Sequence, residues 1–559
     1  MPPPTLDLAR ALLDEATDAG VAEIVVCPGS RSAPLAYAAL AAAESGRVRL
    51  HVRVDERSAG FLALGLAKTS RRPALIVTTS GTALANLHPA VLEAHHACVP
   101  MLVVSADRPH ELRHSGANQT TVQPGMFAEA VRWEADVAAP GPEATHAATH
   151  IAAARPLARA AYAAAVGSAG DPGPAHLNLC LREPLVPDAW PLEPPIPQHP
   201  PALSPPSAQA PTSDHGPTHR ARTLVVLGDL VDPATRPVVS AWARVQGYPL
   251  IAEPFGLRRE DAALPHGPLL LTDPGWLAAH LPERVLTVGR LTLSRPVTAL
   301  LRTRGLVVEA ITDRALVPDP AGVVCASHPF EALGDPQSHP PTAWGRAWQA
   351  AGEDLARRLA GAPPAWDTGA GCARAVAAGV PAGAHLFVGP SNPVRDLDVA
   401  VARVPDGVTV VANRGLAGID GCLATAAGIA YAEGAAYALL GDLTFLHDAN
   451  ALLIGPAEER PDLSVVVVND GGGGIFTLLE PGAPELSKAF DRLFGTPTQT
   501  DIGALCSAHG VPHVLPTSPD ALAEAIGAPP DGIRVIEVRV RREGHRAERE
   551  RLRTLAVRP

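Results

Sequence analysis

Oxygen-bearing side chains follow two apolar stretches of the sequence, at the point where each stretch ends. Asp442 comes just after the apolar run 435–440, and Asn469 and Asp470 come directly after the run 463–468. Both runs are typical of the buried strands of a parallel sheet. Because parallel strands end at the same edge of their sheet, we expect Asp442 to lie beside Asn469 or Asp470.

These residue types suit a phosphate group that is bound through a metal ion. Residues 444–453 carry apolar side chains at helical spacing, which predicts a crossover helix between the two strands. Oxygen ligands suit a hard cation such as Mg²⁺, which also binds phosphate oxygens. The glycine run 471–474 and the helix N-terminus offer backbone N–H groups to those phosphates. The alternative for Asp442 is an acid that only caps the helix after it.

The two segments Gly441-Asp442-Leu443-Thr444 and Asn469-Asp470-Gly471-Gly472 resemble the diphosphate-and-magnesium motif of thiamine-diphosphate enzymes. The usual form is Gly-Asp-Gly followed by Asn-Asn; here Leu443 replaces the last glycine and Asp470 the second asparagine. Both departures occur in the branch of that family that acts in menaquinone biosynthesis, which the rest of the chain also resembles. The resemblance implies thiamine diphosphate with Mg²⁺ or Mn²⁺, bound by Gly441, Asp442, Leu443, Thr444, Asn469, Gly472, Gly473 and Ile475.

Two sets of metal ligands stay open beside Asp442. Counting back from Ile475 and Phe476 places Asp470 and the carbonyl of Gly472 on the metal. Counting forward from Asp442 places Asn469 and the carbonyl of Gly471 there instead.

Glu56 follows an alternating strand predicted over 47–55 and begins the next helix. One interpretation is an acid that favours the helix dipole, worth roughly 0.3–1 kcal/mol. The segments 55–68 and 79–87 are, however, similar to the activating segment of the family. That similarity implies that Glu56 is the catalytic carboxyl group that hydrogen-bonds a pyrimidine nitrogen of thiamine and drives its tautomeric shift. It also implies that Thr82 and Asn86 bind the cofactor.

Four arginines follow predicted strands and so project from the edge where open α/β sheets bind ligands: Arg31, Arg108, Arg395 and Arg414. Guanidinium groups match carboxylates in a bidentate geometry. The alternative is that they cap carbonyl groups or pair with surface acids. The resemblance assigns them to the carboxylates of 2-oxoglutarate and isochorismate.

The resemblance implies further site residues. Asn118 and Gln119 are expected to be catalytic amides that face the substrate, and Ile419 is expected to wedge beneath the cofactor. Phe476, with Ile475, is expected to line the substrate channel. Ser30 and Ser391 complete the expected substrate contacts, and Ser391 and Gly415 the expected cofactor contacts.

Alternating strand and helix patterns predict three doubly wound parallel-sheet α/β domains. Their expected limits are 1–185 for a pyrimidine-binding domain with Glu56, 221–340 for a structural middle domain and 366–559 for a diphosphate- and metal-binding domain. A Pro-rich linker is predicted over 186–220 and a second linker over 341–365. Strands are predicted over 23–27, 47–55, 75–79, 101–105, 175–179, 223–227, 249–252, 285–288, 306–311, 385–388, 408–411, 435–440, 463–468 and 532–538, and a single helix over 84–97.

Composition excludes several classes of function. The 559 residues are 47% hydrophobic and 18% charged, which is typical of globular proteins. A net charge of −11 argues against nucleic acid or an anionic membrane as the main partner. Seven scattered cysteines without metal-ligand spacing indicate free thiols. We therefore expect a cytoplasmic protein without membrane insertion.

The resemblance implies a transferase that decarboxylates 2-oxoglutarate and adds the resulting four-carbon carbanion to isochorismate by conjugate addition. Glu56 and Asp442 fall in different domains, so the cofactor must bridge two domains. The resemblance implies that these domains belong to different subunits, so a homo-oligomer (a homodimer or homotetramer) with its active site at the subunit interface is expected. One alternative is another thiamine-dependent decarboxylase or an acetolactate-type carboligase acting on pyruvate, which would not need four arginines. Another is a non-catalytic or dinucleotide-binding α/β protein, against which the absence of Gly-x-Gly-x-x-Gly after the first strand of the middle domain counts.

Overall fold

A computed structural model of the chain describes residues 3–140, 144–190, 192, 217–256, 263–334 and 337–557. These residues form three sheets, each with helices alongside and with neighbouring strands parallel. The predicted fold class is therefore confirmed. Contacts divide the chain into two compact units: the first comprises 1–208, 413–434 and 447–461, and the second comprises the remaining residues. The Pro-rich linker predicted over 186–220 lies largely outside the described residues.

The first unit contains a six-stranded sheet in the order β2-β1-β3-β4-β6-β5. Its strands are β1 Glu23–Val26, β2 Arg49–Val52, β3 Ala74–Thr78, β4 Met101–Asp107, β5 Trp133–Val137 and β6 Pro174–Cys180. The predicted strands agree with five of these to within three residues at either end. The edge strand β5 was not predicted, because Glu134 and Asp136 interrupt its apolar pattern and only Val137 is buried.

The helices of the first unit cover the sheet and add a segment from the later sequence. They are Pro4–Ala19, Ala33–Glu44, Glu56–Ser70, Thr82–Ala85, His88–Ala97, Ala144–Ala165 and Cys422–Glu433. The single helix predicted over 84–97 is wrong: two helices are present, and the second begins with Pro89 in its first turn. Proline has no backbone N–H group and cannot continue a helix from the turn before it, so the break falls there.

Glycines bring two helices of the first unit into backbone contact. A Cβ atom on Gly65 of helix Glu56–Ser70 would lie 2.2 Å from the carbonyl oxygen of Thr425 in helix Cys422–Glu433. A Cβ atom on Gly428 would lie 2.4 Å from the carbonyl oxygen of Leu62. Neither position has room for a side chain, so glycine sets the separation of the helix that Glu56 begins from the helix that follows Ile419.

The second unit contains the other two sheets. The middle sheet has the order β11-β10-β9-β7-β8, and the last sheet has the order β13-β12-β14-β15-β17-β16. Their strands are β7 Thr223–Leu227, β8 Leu250–Ala252, β9 Arg284–Val288, β10 Val307–Ile311, β11 Ala326–His328, β12 His385–Val388, β13 Thr409–Val411, β14 Ala436–Gly441, β15 Leu463–Asn469, β16 His513–Val514 and β17 Ile533–Arg539. The sequence predicted all of these except β11 and β16, which are edge strands of three and two residues.

One long helix of the second unit packs in a core that contains residues from both of its sheet regions. Helix Ala343–Gly361 occupies most of the segment predicted as a linker over 341–365, and its Trp348 is fully buried in a core that includes Leu224, Ala370 and Leu552. The remaining α-helices are Arg236–Val245, Gly267–Leu270, Pro274–Ala279, Arg295–Leu301, Gly369–Gly379, Asn392–Ala400, Asp442–His447, Ser487–Phe490, Ile502–Ala508, Pro519–Gly527 and His545–Ala556. Among the described residues, no helix combines the length and apolar character needed to cross a bilayer.

The single helix predicted over 444–453 is also wrong. An α-helix ends at His447 and a 3-10 helix, Ala449–Leu452, follows Asp448. The Asp448 carboxylate accepts hydrogen bonds from the Ser58 hydroxyl at 3.0 Å and from the backbone N–H of Ala424 at 2.7 Å. These tertiary hydrogen bonds are not visible in the local apolar pattern.

Candidate functional site

The ends of β14 and β15 meet at one edge of the last sheet. Gly441 pairs with Val468, so Asp442 and Asn469 each lie one position beyond that pair. Asp442 begins its helix and is 5% exposed. The carboxylate accepts hydrogen bonds from the backbone N–H groups of Leu443 and Gly472, which join the two motif segments.

A cavity of about 350 Å³ opens at this edge. Asp442, Asn469 and Gly471 line it, together with residues 497–502, Glu537 and Arg539. Burial, with the charge of Asp470 as the next cause, raises the pKa of Asp442 to about 7. A buried carboxyl group that feels the negative charge of a second acid is in a suitable place for a bound cation. The oxygens of a carboxylate, an amide and a backbone carbonyl are ligands that fit Mg²⁺.

Asn469 and Asp470, the two candidate metal ligands after β15, have different surroundings. Asn469 lines the cavity, and its Oδ1 accepts a hydrogen bond from the backbone N–H of Gly471 at 3.0 Å. Asp470 instead contacts the helix His545–Ala556: its Oδ2 lies 2.8 Å from Nε2 of His545, and its buried Oδ1 has no hydrogen-bond partner among the described residues. The geometry therefore favours Asn469 and Gly471 over Asp470 and Gly472 as companions of Asp442.

The glycine run after Asp470 is packed too closely for side chains. Gly472 has φ +137°, and a Cβ atom there would lie 1.9 Å from the carbonyl oxygen of Gly495. Gly473 donates a backbone hydrogen bond to the same carbonyl at 2.7 Å. Ile475 and Phe476 follow in a 3-10 helix, and the Phe476 ring lies 5.5 Å from that of Phe494.

In the first unit, Glu56 is the first residue of its helix but does not cap it. Asp55 is the N-cap, and its carboxylate accepts hydrogen bonds from the backbone N–H of Arg57 at 3.0 Å and from the Arg57 guanidinium. The hydrogen bond from the Arg57 side chain lowers the pKa of Asp55 to about 2. Glu56 is half-buried, and its carboxylate has no hydrogen-bond partner among the residues that the structure describes. Asp55 thus fills the capping role, whereas Glu56 keeps the first-turn position that favours the helix dipole.

Loops after β1 and β4 bring two of the predicted arginines together. The Arg108 guanidinium donates hydrogen bonds to the Ser80 hydroxyl and, at 2.6 Å, to the carbonyl oxygen of Gln119. Burial, and next the positive charge of Arg31, lower the pKa of Arg108. Arg31 itself donates to the carbonyl oxygen of Leu181 at 2.9 Å. Both guanidinium groups thus donate to carbonyl oxygens, and Arg31 also pairs with Glu183 at 3.5 Å, as the alternative for these arginines expects. An anionic ligand would relieve the repulsion between the two groups.

The amide residues lie on the same loops. Gln119 has φ +56°, and its Nε2 donates to the carbonyl oxygen of Ser80 at 2.9 Å. Asn118 beside it is exposed. Three further predicted residues of this unit follow strands β1 and β3, which neighbour each other in the sheet. They lie at exposed loop or helix-end positions and are Ser30, Thr82 and Asn86.

The last predicted residues are divided between the two units. Arg414, Gly415 and Ile419 belong to the first unit, where Arg414 is 4% exposed. Ser391 and Arg395 belong to the second unit and follow β12, the neighbour of β14 in the sheet. Ser391 has φ +71°, and its carbonyl oxygen accepts from the Arg395 guanidinium at 2.7 Å.

The sequence did not indicate Glu93, which supports the loop of Arg414 and Ile419. The buried Glu93 carboxylate accepts hydrogen bonds from the backbone N–H groups of Gly415 at 2.7 Å and Leu416 at 2.6 Å, and so fixes the loop between Arg414 and Ile419. Burial raises the pKa of Glu93. This contact joins positions far apart in the sequence, and Glu93 carries no local signal beyond an acid inside a helix.

Comparison with known proteins defines the class first. Residues 6–129 match the family model described as "Thiamine pyrophosphate enzyme, N-terminal TPP binding domain". The crystal structure of benzoylformate decarboxylase from Polynucleobacter necessarius shares the fold, with a TM-score of 0.66 over 96% of this chain and 98% of that chain at 18% identity. The chain therefore has the fold and the N-terminal domain of a thiamine-diphosphate enzyme.

Closer relatives define the particular family. The chain is 44% identical to the 2-succinyl-5-enolpyruvyl-6-hydroxy-3-cyclohexene-1-carboxylate synthase of Saccharopolyspora erythraea and 46% identical to that of Kineococcus radiotolerans, in each case over 98% of both chains. It is 44% identical to that of Thermobifida fusca over 96% of both chains. The chain belongs to the family of 2-succinyl-5-enolpyruvyl-6-hydroxy-3-cyclohexene-1-carboxylate synthases. The resemblance drawn from the sequence motifs is thereby confirmed.

Proposed function

We propose that the chain catalyses the thiamine-diphosphate-dependent decarboxylation of 2-oxoglutarate and the conjugate addition of the remaining four-carbon unit to isochorismate. One product is 2-succinyl-5-enolpyruvyl-6-hydroxy-3-cyclohexene-1-carboxylate, an intermediate of menaquinone biosynthesis. The other is CO₂, the leaving group of the decarboxylation. The observation that carries the proposal is that synthases of this name align with 98% of the chain at 44–46% identity. These alignments favour this activity over the acetolactate-type alternative that acts on pyruvate.

The cavity at Asp442 is proposed to hold the metal and the diphosphate. Thiamine diphosphate, when bound, supplies an electron sink for the charge that decarboxylation leaves behind. The Asp442 carboxylate, the Asn469 Oδ1 and the Gly471 carbonyl would hold Mg²⁺ or Mn²⁺. The backbone N–H group of Thr444, in the first turn of the helix that Asp442 begins, would hold a phosphate oxygen. The N–H groups of Gly471, Gly472 and Gly473 already have acceptors within the protein.

Glu56 is proposed to hold a proton at the pyrimidine ring of the cofactor. Its carboxylate lies on the first residue of a helix that is fixed by close packing, and it has no competing hydrogen bond among the described residues. A carboxyl group placed in this way can donate and recover one proton without moving. Ile419 and Gly415, on the loop that Glu93 fixes, are proposed to support the cofactor from the other side, and Thr82 and Asn86 to contact it.

The loops after β1 and β4 are proposed to bind the substrate carboxylates. Arg31 and Arg108 together offer guanidinium N–H groups to one anionic group. Because Gln119 Nε2 already donates to Ser80, its Oε1 is left to accept a hydrogen bond from a substrate hydroxyl group. Asn118, Ser30, Ser391, Arg395, Arg414 and Phe476 are proposed to complete the substrate contacts.

We propose the same domain limits as above, with Glu56 and Asp442 on the first and last domains. The family resemblance implies that these two domains belong to different subunits, so the active site would form at the interface of a homodimer or homotetramer. We propose that this oligomer is cytoplasmic.

A product assay tests the proposed function. Purified protein is incubated with Mg²⁺, thiamine diphosphate, isochorismate and 2-oxoglutarate, with pyruvate replacing 2-oxoglutarate in a parallel reaction. We expect CO₂ and the succinyl product by mass spectrometry from 2-oxoglutarate, and at most traces from pyruvate. Turnover of pyruvate without turnover of 2-oxoglutarate would contradict the proposal and favour the acetolactate-type alternative.

A further inference from the structure

Glu537 lies on β17 directly beside the strand that ends in Asn469. It is 1% exposed, and its Oε1 accepts a hydrogen bond from the Asn469 side chain at 2.8 Å. The same carboxylate accepts from the Arg539 Nε at 3.0 Å, and its Oε2 lies 2.9 Å from His513 Nε2. A guanidinium group can only donate, so the Glu537 Oε1 acts here as an acceptor.

This contact determines which end of the Asn469 amide faces the cavity. The two ends of an amide have nearly the same shape, but only the NH₂ end can donate to a carboxylate. With the nitrogen held by Glu537, Oδ1 lies on the other side, where it accepts from the backbone N–H of Gly471. An amide oxygen can bind a metal ion and an NH₂ group cannot, so the orientation decides whether Asn469 can act as a ligand.

We infer that Glu537 is a positioning residue, which selects the amide orientation that presents the Asn469 oxygen to the metal. The inference rests on the proposed function, because it takes the cavity at Asp442 as the metal site. Partners that orient a metal ligand commonly change metal affinity by about 10- to 100-fold when they are removed. Asp470 makes a different contact, with His545 on the helix His545–Ala556.

Reversing the polarity of the contact tests the inference. In Asn469→Asp, a carboxylate oxygen would face the Glu537 carboxylate at about the present 2.8 Å, and the two charges should repel the new side chain from its present position. When Asn469→Asp is combined with Glu537→Gln, the introduced glutamine amide can donate to the introduced aspartate and hold it in place. We therefore expect the double variant to bind Mn²⁺ at least about tenfold more tightly than Asn469→Asp alone, a comparison in which the added carboxylate is common to both proteins. Mn²⁺ binding is measured by electron paramagnetic resonance with thiamine diphosphate present, which does not depend on turnover.

A matched control comes from the middle sheet. Glu309 on β10 also contacts a histidine and an arginine, with its Oε2 3.0 Å from His328 and 3.5 Å from Arg284, but no asparagine of the cavity. Glu309→Gln should leave Mn²⁺ affinity unchanged. The thermal unfolding midpoint of each variant checks that it is folded.

The outcomes separate the inference from the proposed function. If the wild type binds Mn²⁺ and the folded double variant binds as weakly as Asn469→Asp alone, Glu537 does not orient the amide and the inference is overturned. If Asn469→Asp does not fold, the pair Glu537→Gln and Glu537→Leu decides: the glutamine can still accept from the amide and should bind normally, whereas the leucine variant should bind at least about tenfold more weakly. Equal affinities of that pair overturn the inference. A wild type that binds neither Mn²⁺ nor thiamine diphosphate removes the proposed function as well.

Discussion

Replacing Gly428 with alanine is expected to disturb both stability and catalysis. Gly428 lies where helix Cys422–Glu433 crosses helix Glu56–Ser70. An added Cβ atom would lie 2.4 Å from the Leu62 carbonyl oxygen, 2.7 Å from the Leu66 nitrogen and 2.8 Å from Cα of Gly65. All three are backbone atoms and cannot rotate away, so the two helices must separate by an amount on the order of 1 Å to restore ordinary contact distances.

Two opposing effects set the size of the change in stability. Overpacking of this kind costs about 1–3 kcal/mol, whereas replacing glycine by alanine inside a helix gains about 1 kcal/mol. The net loss is therefore about 0–2 kcal/mol. The effect on catalysis should be larger, because the movement changes the distance between Glu56 and the loop of Ile419, and a misplacement of about 1 Å can cost roughly 100-fold in rate.

Two measurements test this prediction: the thermal unfolding midpoint, and turnover at saturating thiamine diphosphate. Gly361→Ala is the control, because Gly361 also lies in a helix but has no atom within 4 Å of an added Cβ. It should leave turnover unchanged and not lower the midpoint. Wild-type turnover in a folded Gly428→Ala protein would refute the claim that this contact sets the position of Glu56.

Three further predictions follow from the site. Burial raises the pKa of Asp448 to about 7, so the native carboxyl group keeps a proton that the unfolded chain loses near its ordinary pKa of about 4. The free energy of unfolding therefore falls as the pH rises from about 4 to about 7. Asp448→Asn should raise the unfolding midpoint relative to the wild type more at pH 8 than at pH 5, and an equal difference at both pH values would contradict this assignment. Arg108→Lys keeps the charge but not the guanidinium fork, so the KM for 2-oxoglutarate should rise about tenfold or more, whereas the exposed Arg357→Lys should leave it unchanged; an unchanged KM in Arg108→Lys would remove that residue from the substrate site. Mixing inactive Glu56→Gln and Asp442→Ala subunits should restore part of the activity if each site takes one residue from each subunit, and no recovery from subunits shown to have exchanged would contradict an active site at the subunit interface.

The sequence was most informative where a local pattern fixed a structure. The apolar runs predicted β14 and β15 correctly, because a strand that is buried on both faces is apolar along its whole length and can be identified from its own residues. The glycines after Asp470 likewise predicted a loop, and the φ of +137° at Gly472 agrees with that reason for glycine. Short edge strands such as β16 carry too few residues for a pattern, and β5 is hidden by its charged side chains.

The details of the site depend on contacts between residues that are distant in the sequence. Counting positions left Asn469 and Asp470 equivalent as ligands. The structure distinguishes them, because Asn469 lines the cavity and contacts Gly471 and Glu537, whereas Asp470 contacts His545. The role of Asp55 as the helix cap, which leaves Glu56 without that task, depends on side-chain orientation that no spacing rule supplies. Tertiary hydrogen bonds of this kind also explain the interruption of the helix at Asp448.

The central claim is that Glu56 activates thiamine diphosphate whose diphosphate group is bound in the Asp442 cavity. One variant tests this claim most directly. Glu56→Gln keeps the size of the side chain and the packing of its helix but removes the ionisable group. Thiamine diphosphate binding in the presence of Mg²⁺ is measured by calorimetry, and CO₂ release from 2-oxoglutarate is measured on the same sample. We predict binding within a few-fold of the wild type and a loss of turnover of roughly 100-fold or more. Undiminished CO₂ release by Glu56→Gln would contradict the account.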